Sequence, residues 1–491
     1  MKNKRLEGYP MAELKGLNNS FFTKNRKKFY NNLIKMLTGL NRNSIIVLEG
    51  GKEIPRYDTD VVDYHFQQDA NFYYLSGVRE PKFYAILDVK SEEFKLYYDL
   101  SKDERDNIFM QIPSLQELSE KYELPVLDMV DFYSNIAKRN PRKIYVMCGT
   151  NSDSGLSVKT AKLDFPTDYE VLEKIVDYNQ LVYEILAETR VTKTDEEISL
   201  LKYINEITVE AHIEAIKAVK PGIYERDIEN AFFNYLREKY FVRIWSYPMI
   251  CGCGNNSSTL HYQDNCKKLT DGDLALLDMG VRFAGYTSDV TVTVPVNGKF
   301  TDTQSSIYKI VLKANREVQA NLKAGVFWPT MHIRAEMVIL QGLIDLGLLN
   351  KGFNVFQMIK DRVAYYFMPH GLGHLMGIEV HDVGGYLSFT PKRPNEAGLS
   401  SLRTSRYLAA NTIITVEPGI YFIPCLLEKA FKDERLKKYF NEKLIKTYYN
   451  FGGIRIEDDV LVTLDGCINL TASLPREIED IEKLMKNNNP Y

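Results

Sequence analysis

The chain has 491 residues, of which 45% are apolar and 26% are charged, and its formal net charge at pH 7 is −3. This composition excludes a disordered chain, and the near-zero charge gives no general reason to bind nucleic acid or an anionic membrane. No run approaches the ~20 consecutive apolar residues needed to cross a bilayer, and the length predicts two or three domains.

The six cysteines are too few for a disulfide framework. Cys251 and Cys253 are the only close pair, and their spacing does not match the usual zinc-binding motifs. We therefore expect free, buried thiols in a reducing compartment. The N-terminus, residues 1–10, is basic but lacks the apolar core of a secretory signal, which predicts a cytoplasmic protein.

Residues 1–185 are predicted to form a smaller α/β domain, in which short β-rich runs alternate with amphipathic helices such as residues 115–123. Its predicted strands are residues 44–48, 83–89, 94–98 and 144–147. A polar patch then marks a boundary. In this patch Thr194 and Glu197 fit a capping box, whose hydroxyl and carboxylate satisfy free N–H groups where a helix begins.

Residues 190–491 are predicted to form a second, α+β domain in which helices are followed by strands, twice. The first helix carries an apolar stripe and ends at Pro221-Gly222; the stripe is Leu201, Ile204, Ile207, Ala211, Ala215 and Ala218. Further helices are predicted over residues 225–239, 302–323, 329–347 and 354–366. Strands are predicted over residues 274–279, 288–295, 413–416 and 454–463, with a charged helical insertion over residues 421–450.

Two acidic residues, Asp278 and Asp289, lie within apolar, β-branched sequence. A carboxylate in such a strand is costly to bury unless it is paired or binds a cation. A single one would usually lie at a strand edge and face water. Two that flank one turn can face each other across an antiparallel pair, so the pattern leaves a strand edge and a functional site about equally open.

Three of the seven histidines, His370, His374 and His381, fall close together in and after the run PHGLGHLMG. The glycines allow the backbone to approach a ligand closely, and three histidines beside them favour a site. Glu417 also ends an apolar strand, directly before a turn. Glu457 shares a strand face with Arg455, for which a solvated outer face is the simpler interpretation when that strand is taken alone.

Together these residues have the composition of a dinuclear metal site, formed by Asp278, Asp289, His374, Glu417 and Glu457. Four converging carboxylates would repel one another, because two unit charges ~4 Å apart interact with ~4 kcal/mol even at an effective dielectric of ~20. Two divalent ions would offset these charges. Oxygen ligands with one imidazole favour Mn(II), with Co and Mg as alternatives, and a pair of ions can share a hydroxide and polarise a carbonyl.

These motifs resemble the metallopeptidases with the creatinase/methionine aminopeptidase fold, often called pita-bread. The similarity rests on the D-x10-D pair and the HGLGH, VEPG and GIRIED runs, and residues 56–60 and 71–77 extend it over nearly the whole chain. It implies a C-terminal α+β pita-bread domain preceded by a smaller α/β domain. Within the family, the chain is similar to the Xaa-Pro branch, which contains Xaa-Pro dipeptidase (prolidase) and aminopeptidase P.

Residues 368–386, 401–404 and 419–422 and the charged insertion resemble the eukaryotic dipeptidase, which implies hydrolysis of Xaa-Pro dipeptides. Residues 260–265 and 469–473 look more like aminopeptidase P, which releases the N-terminal residue from longer Xaa-Pro peptides, and this activity is the alternative. A further alternative is a non-catalytic binding protein with the pita-bread fold. The presence of all five candidate ligands argues against it. The resemblance also favours a homodimer that acts on small peptides, without nucleic-acid or membrane partners.

The resemblance implies a role for each ligand. Asp278 would bind one Mn(II) ion, and His374 and Glu417 would bind the other. Asp289 and Glu457 would bridge the two ions. A hydroxide held between the ions would then attack the Xaa-Pro carbonyl.

The remaining implied roles concern the substrate. Glu417 would relay a proton toward the proline nitrogen, and His370 or His381 would stabilise the developing oxyanion. His261, together with those two histidines, would line the substrate pocket. Arg403 would hold the C-terminal carboxylate, for which a planar guanidinium is well suited.

Overall fold

A computed structural model describes residues 19–37, 39–62, 66–100 and 112–486. The basic segment over residues 1–10, which lacks the pattern of a secretory signal, lies outside the described residues. The chain divides into two compact units, Met1–Arg190 and Val191–Tyr491. Within the described ranges, no helix combines the length and the apolar character that a membrane span requires.

The first unit contains a six-stranded mixed sheet with the order β4-β3-β2-β1-β5-β6. Its strands are β1 Ser44–Glu49, β2 Phe83–Asp88, β3 Phe94–Tyr98, β4 Val126–Asp128, β5 Lys143–Val146 and β6 Val176–Asp177. Its helices are α1 Asn19–Met36, α2 Ala70–Ser76, α3 Leu115–Tyr122, α4 Phe132–Arg139 and α5 Gln180–Val191. Strand β1 is buried along its whole length, as expected of a central strand with both faces covered. The predicted strands and α/β layering are confirmed.

The second unit contains a pair of long helices followed by strands, and this order then repeats. Its helices are α6 Asp195–Ala218, α7 Glu225–Tyr240, α8 Asp302–Asn321, α9 Trp328–Asp345, α10 Val355–Lys360, α11 Pro424–Lys432, α12 Glu442–Lys446 and α13 Ile478–Lys486. Helix α6 buries the predicted apolar stripe apart from its last residue, Ala218, which is half-buried.

Some of the short antiparallel strands in the second unit end at or next to the acidic residues that were predicted as metal ligands. The strands are β7 Ile244–Trp245, β8 Ile250–Cys253, β9 Leu274–Asp278, β10 Val281–Phe283, β11 Tyr286–Thr287, β12 Thr291–Pro295, β13 Ile413–Val416, β14 Gly419–Tyr421, β15 Gly453–Arg455, β16 Asp458–Val462 and β17 Cys467–Asn469. Strand β9 lies between β8 and β12, while β16 lies between β13 and β17. Asp278 is the last residue of β9, and Glu417 directly follows β13. The sheets therefore present carboxylates at their ends.

Four predicted elements differ in detail. The predicted helix over residues 354–366 is divided at Arg362, whose φ of 58° cannot continue a helix, and a 3-10 turn, Val363–Tyr366, follows. The predicted strand over residues 454–463 is two strands, β15 and β16. The strand predicted from residue 288 begins at Thr291, and the insertion over residues 421–450 contains only short helices.

The six cysteines are free thiols, as predicted. Cys251 and Cys253 are buried, whereas Cys266 and Cys425 are exposed. Cys148 and Cys467 are half-buried, so the expectation that all six are buried holds only for Cys251 and Cys253.

The predicted capping box at the start of α6 is confirmed. Thr194 N donates to Glu197 Oε2 at 2.8 Å, and Glu197 N donates to Thr194 Oγ1 at 3.3 Å. We expect Thr194→Ala to lower the free energy of unfolding by about 1 kcal/mol, because an N–H at the helix start loses its acceptor. Urea unfolding would measure this change. Thr194→Ser keeps the hydroxyl and should match the unmodified chain, so an equal loss in both variants would argue against the cap.

Candidate metal centre and substrate pocket

The five side chains predicted as metal ligands lie together in one pocket of about 460 Å³ in the second unit; they are Asp278, Asp289, His374, Glu417 and Glu457. His374 Nε2 lies 3.2 Å from Asp289 Oδ2 and 3.7 Å from Glu417 Oε1. Asp289, His374 and Glu457 each offer a ligand atom within 4.8 Å of the other two. That spacing allows one ion to contact all three side chains.

The register of β9 and β12 places the two aspartates. Asp278 pairs with Thr291, two residues beyond Asp289, so the aspartates are diagonal neighbours rather than directly opposed. The hydroxyl oxygen of Tyr247 joins them, at 2.6 Å from Asp278 Oδ1 and 2.5 Å from Asp289 Oδ1. The sequence therefore predicted the proximity of the two acids correctly, with an offset along the strands.

The glycine-rich run places His374 beside β13. A Cβ atom on Gly373 would lie 2.0 Å from the Thr415 carbonyl oxygen, so only glycine allows this approach. His374 N donates to Thr415 Oγ1, and Thr415 N donates to the His374 carbonyl, both at 3.0 Å. At Gly373 the close approach is thus to a neighbouring strand, whereas the sequence suggested an approach to a ligand.

Burial and mutual repulsion dominate the electrostatics of the pocket. Burial and the charge of Asp278 raise the pKa of Asp289 well above its usual range. Burial and the charge of Asp289 do the same to the pKa of Glu457, and burial raises the pKa of Glu417 to about 7. Arg455 offsets part of this charge, since its Nη2 donates to Asp278 Oδ2 at 2.6 Å. The site therefore favours added positive charge.

The donor set fits divalent ions. Tyr247 has one hydroxyl proton, yet its oxygen is within hydrogen-bonding distance of two carboxylates, so it cannot satisfy both at once. Arg403 and Arg455 supply two positive charges against the four acids that line the pocket. Bound divalent cations would neutralise the remainder and use the oxygens that the tyrosine leaves free.

The other residues predicted for the site line the same pocket; they are His261, His370, His381 and Arg403. The His381 ring packs edge-on against the His374 ring, with 4.4 Å between centroids. His370 Nδ1 lies 2.8 Å from the Gly371 carbonyl oxygen, and its Nε2 lies 3.0 Å from the Tyr421 hydroxyl. The structure thus brings every predicted site residue into one pocket.

Three polar residues of this centre were not predicted to act in it: Tyr247, Tyr421 and Arg455. Arg455 Nη1 donates to the Tyr421 hydroxyl at 2.8 Å, and that hydroxyl reaches His370. Arg455 and Glu457 are only 4% and 2% exposed, so the simpler interpretation of a solvated strand face is wrong. The burial of Arg455 and Glu457 depends on neighbouring sheets, so their own strand does not reveal it. Tyr247 could not be predicted because it belongs to no recognisable motif.

The class of this protein follows from its two units and from comparison with known proteins. Residues 199–464 match metallopeptidase family M24, and residues 22–145 match the N-terminal domain of aminopeptidase P. The class is therefore the two-domain metallopeptidases with an aminopeptidase P-like pita-bread fold, as predicted. The chain belongs to metallopeptidase family M24. It is a hydrolase, and its family implies divalent metal ions.

Individual relatives support this assignment. The chain is 38% identical over 471 residues to Xaa-Pro dipeptidase of Homo sapiens, covering 95% of this chain and 93% of that protein. The structure of Pseudomonas aeruginosa aminopeptidase PepP is similar, with a TM-score of 0.76 and 26% identity over 96% of this chain and 98% of that one. Zn-substituted Escherichia coli aminopeptidase P in complex with product has a TM-score of 0.73 and 26% identity, covering 95% and 99% of the two chains. The predicted resemblance to the Xaa-Pro branch is confirmed.

Proposed function

We propose that the chain hydrolyses Xaa-Pro dipeptides in a reaction that depends on divalent metal ions. The observation that carries this proposal is that Arg403 lines the same pocket as the five candidate ligands. A guanidinium in that place suits a peptide whose C-terminal carboxylate belongs to the proline itself. The similarity to human Xaa-Pro dipeptidase supports the same substrate class.

The five ligands would hold two ions, and Mn(II) is the ion that we propose. Asp289 and Glu457 would contact both ions, Asp278 would contact one of them, and His374 and Glu417 would contact the other. Carboxylate oxygens with a single imidazole suit Mn(II) better than they suit a metal that prefers thiolates. When bound, the ions supply Lewis acidity and lower the pKa of water in the pocket.

The side chains of the chain itself would move protons and stabilise charge. Glu417 lies 3.6 Å from His370 and 3.7 Å from His374, from where it can accept a proton and pass it toward the proline nitrogen. His370 or His381 would donate to the carbonyl oxygen as it gains negative charge. Both ring nitrogens of His370 have partners, which favours His381, while His261 would contact the substrate.

A cleavage assay with Gly-Pro tests this function. Chain stripped of metal by a chelator should be inactive, and Mn(II) should restore cleavage by at least about a hundredfold, since the ions supply the Lewis acid. Metal analysis of the active protein should give two ions per chain. Cleavage that survives removal of the metal, or the absence of cleavage after Mn(II) is restored, would contradict the proposal.

Aminopeptidase P activity is the second candidate. Leu260, His261 and Gln263, from a segment that resembles aminopeptidase P, line the pocket. A longer Xaa-Pro peptide that is cleaved faster than Gly-Pro would favour this activity. Metal-dependent cleavage of either substrate would exclude a purely binding role. A homodimer in the cytoplasm is part of our proposal, on the strength of the family resemblance and the free cysteines.

A further inference from the structure

A largely buried triad of charged and polar side chains, two of them on helix α9, lies outside the candidate metal ligands. His332 and Glu336, one helical turn apart, have no exposed surface, and His332 Nε2 lies 3.1 Å from Glu336 Oε1. Arg362 completes the triad, since its Nη1 and Nη2 donate to the two oxygens of Glu336 at 3.0 and 2.5 Å. Such a two-pronged contact fixes direction as well as distance.

The remaining nitrogen of Arg362 contacts a segment that precedes Arg403. Arg362 Nε donates to the Ala397 carbonyl oxygen at 2.7 Å. A Cβ atom on Gly398 would lie 3.0 Å from Arg362 Nη2 and 3.6 Å from His332 Nε2. The backbone at residues 397–398 therefore rests directly on the triad.

The same backbone continues into the substrate pocket. Gly398 precedes a 3-10 turn, Leu399–Ser401, in which Ser401 N donates to the Gly398 carbonyl at 3.1 Å and Leu402 N donates to the Leu399 carbonyl at 3.0 Å. Ser401 and Arg403 line the pocket. A short, hydrogen-bonded stretch of chain thus joins the triad to Arg403.

We propose that His332, Glu336 and Arg362 are positioning residues that fix the location of Arg403 and so favour substrates that end in a carboxylate directly after proline. This inference rests on the proposed function, because it assigns Arg403 to that carboxylate. Each member acts through the backbone of residues 397–402. Because Glu336 is fully buried between its two partners, the anchor has little freedom to shift.

The double variant Glu336→Gln/Arg362→Gln tests the inference. It removes both charges together and so leaves no unpaired buried charge. We expect the KM for Gly-Pro to rise at least about tenfold, because a small displacement of a binding group weakens its contact with the substrate. The kcat and the Mn(II) content should stay close to those of the unmodified chain. Gly-Pro amide, which lacks the carboxylate, should show no change in KM.

Combination with Arg403→Ala separates positioning from general damage. If the triad acts through Arg403, its effect on KM should disappear in the Arg403→Ala background. The matched control is Arg334→Gln, on the same helix, whose partner Glu317 lies 2.7 Å away in a partly exposed pair; it should leave KM unchanged. Additive effects, or equal losses on Gly-Pro and its amide, would overturn the inference.

A second variant covers the case in which the double variant does not fold. Gly398→Ala would strain the loop itself, because Gly398 has a φ of 82°, and would place a Cβ atom 3.0 Å from Arg362 Nη2; the same selective rise in KM for Gly-Pro is expected. A folded Gly398→Ala with unchanged KM would overturn the positioning role. Failure of the proposed function is distinguishable, because the unmodified chain would then not cleave Gly-Pro at all.

Discussion

Replacing Asp289 with Asn should give a folded chain that neither retains its metal nor cleaves Gly-Pro. Asn has nearly the same volume and keeps an oxygen that can accept the hydrogen bond from Tyr247, which is 2.5 Å long. It removes an anionic ligand that divalent ions require. We expect kcat/KM to fall by more than about a hundredfold, since changing even the partners of metal ligands costs 10- to 100-fold.

Two comparisons separate loss of the metal from loss of the fold. Thermal unfolding of metal-free Asp289→Asn should occur at or above the temperature for the metal-free unmodified chain, because the substitution relieves repulsion with Asp278. Asp273→Asn is the matched control, because Asp273 precedes β9 and pairs with Lys267 at 2.9 Å. The control should retain metal and activity. Full activity of Asp289→Asn in excess Mn(II) would contradict the assignment of Asp289 as a metal ligand.

Replacing Arg403 with Ala should raise the KM for Gly-Pro and leave bound metal unchanged. Hydrogen bonds to a charged group contribute about 1.5–3 kcal/mol, which corresponds to roughly 10- to 150-fold in KM. Arg403→Lys keeps the charge but loses the planar fork, so we expect an intermediate KM. Steady-state kinetics with Gly-Pro and with a longer Xaa-Pro peptide would measure both effects.

The substrate pair decides between the two candidate activities. A dipeptidase should lose its preference for Gly-Pro over the longer peptide when Arg403 is removed, because the guanidinium no longer selects a carboxylate at that position. Arg435→Ala, at an exposed arginine, is the control and should behave as the unmodified chain. Preference for the longer peptide in the unmodified chain, undiminished by Arg403→Ala, would reverse our ranking in favour of aminopeptidase P activity.

Three of the candidate ligands could be predicted because each conflicts with its own sequence context. Asp278 and Asp289 stand in apolar, β-branched strands, where a carboxylate without a partner is unfavourable. Glu417 repeats that conflict at the end of β13. Such conflicts are local and can be read along one stretch of chain. The same is true of the capping box at Thr194, whose two members lie three residues apart.

Other features depend on contacts that no single stretch of sequence contains. The sequence around Arg362 has a helical pattern, and its left-handed backbone is accompanied by contacts with Glu336 on another helix. Arg455 was placed on the correct strand face, but neighbouring strands decide that this face is buried. Tyr247, in the loop between β7 and β8, reaches aspartates that lie more than 30 residues further along the chain. Tertiary packing creates these arrangements, so local periodicity could not predict them.

The candidate ligands are far apart in sequence, from Asp278 in β9 to Glu457 beyond β15, and only the folded second unit brings them together. Ions held by this set would therefore bind the native state in preference to the unfolded chain. For each of the two sites, a tenfold rise in free ion above the dissociation constant would add about 1.4 kcal/mol to the free energy of unfolding. The stability of the fold would then depend on the concentration of the free ion. Activity and stability would therefore be governed by the same binding equilibrium.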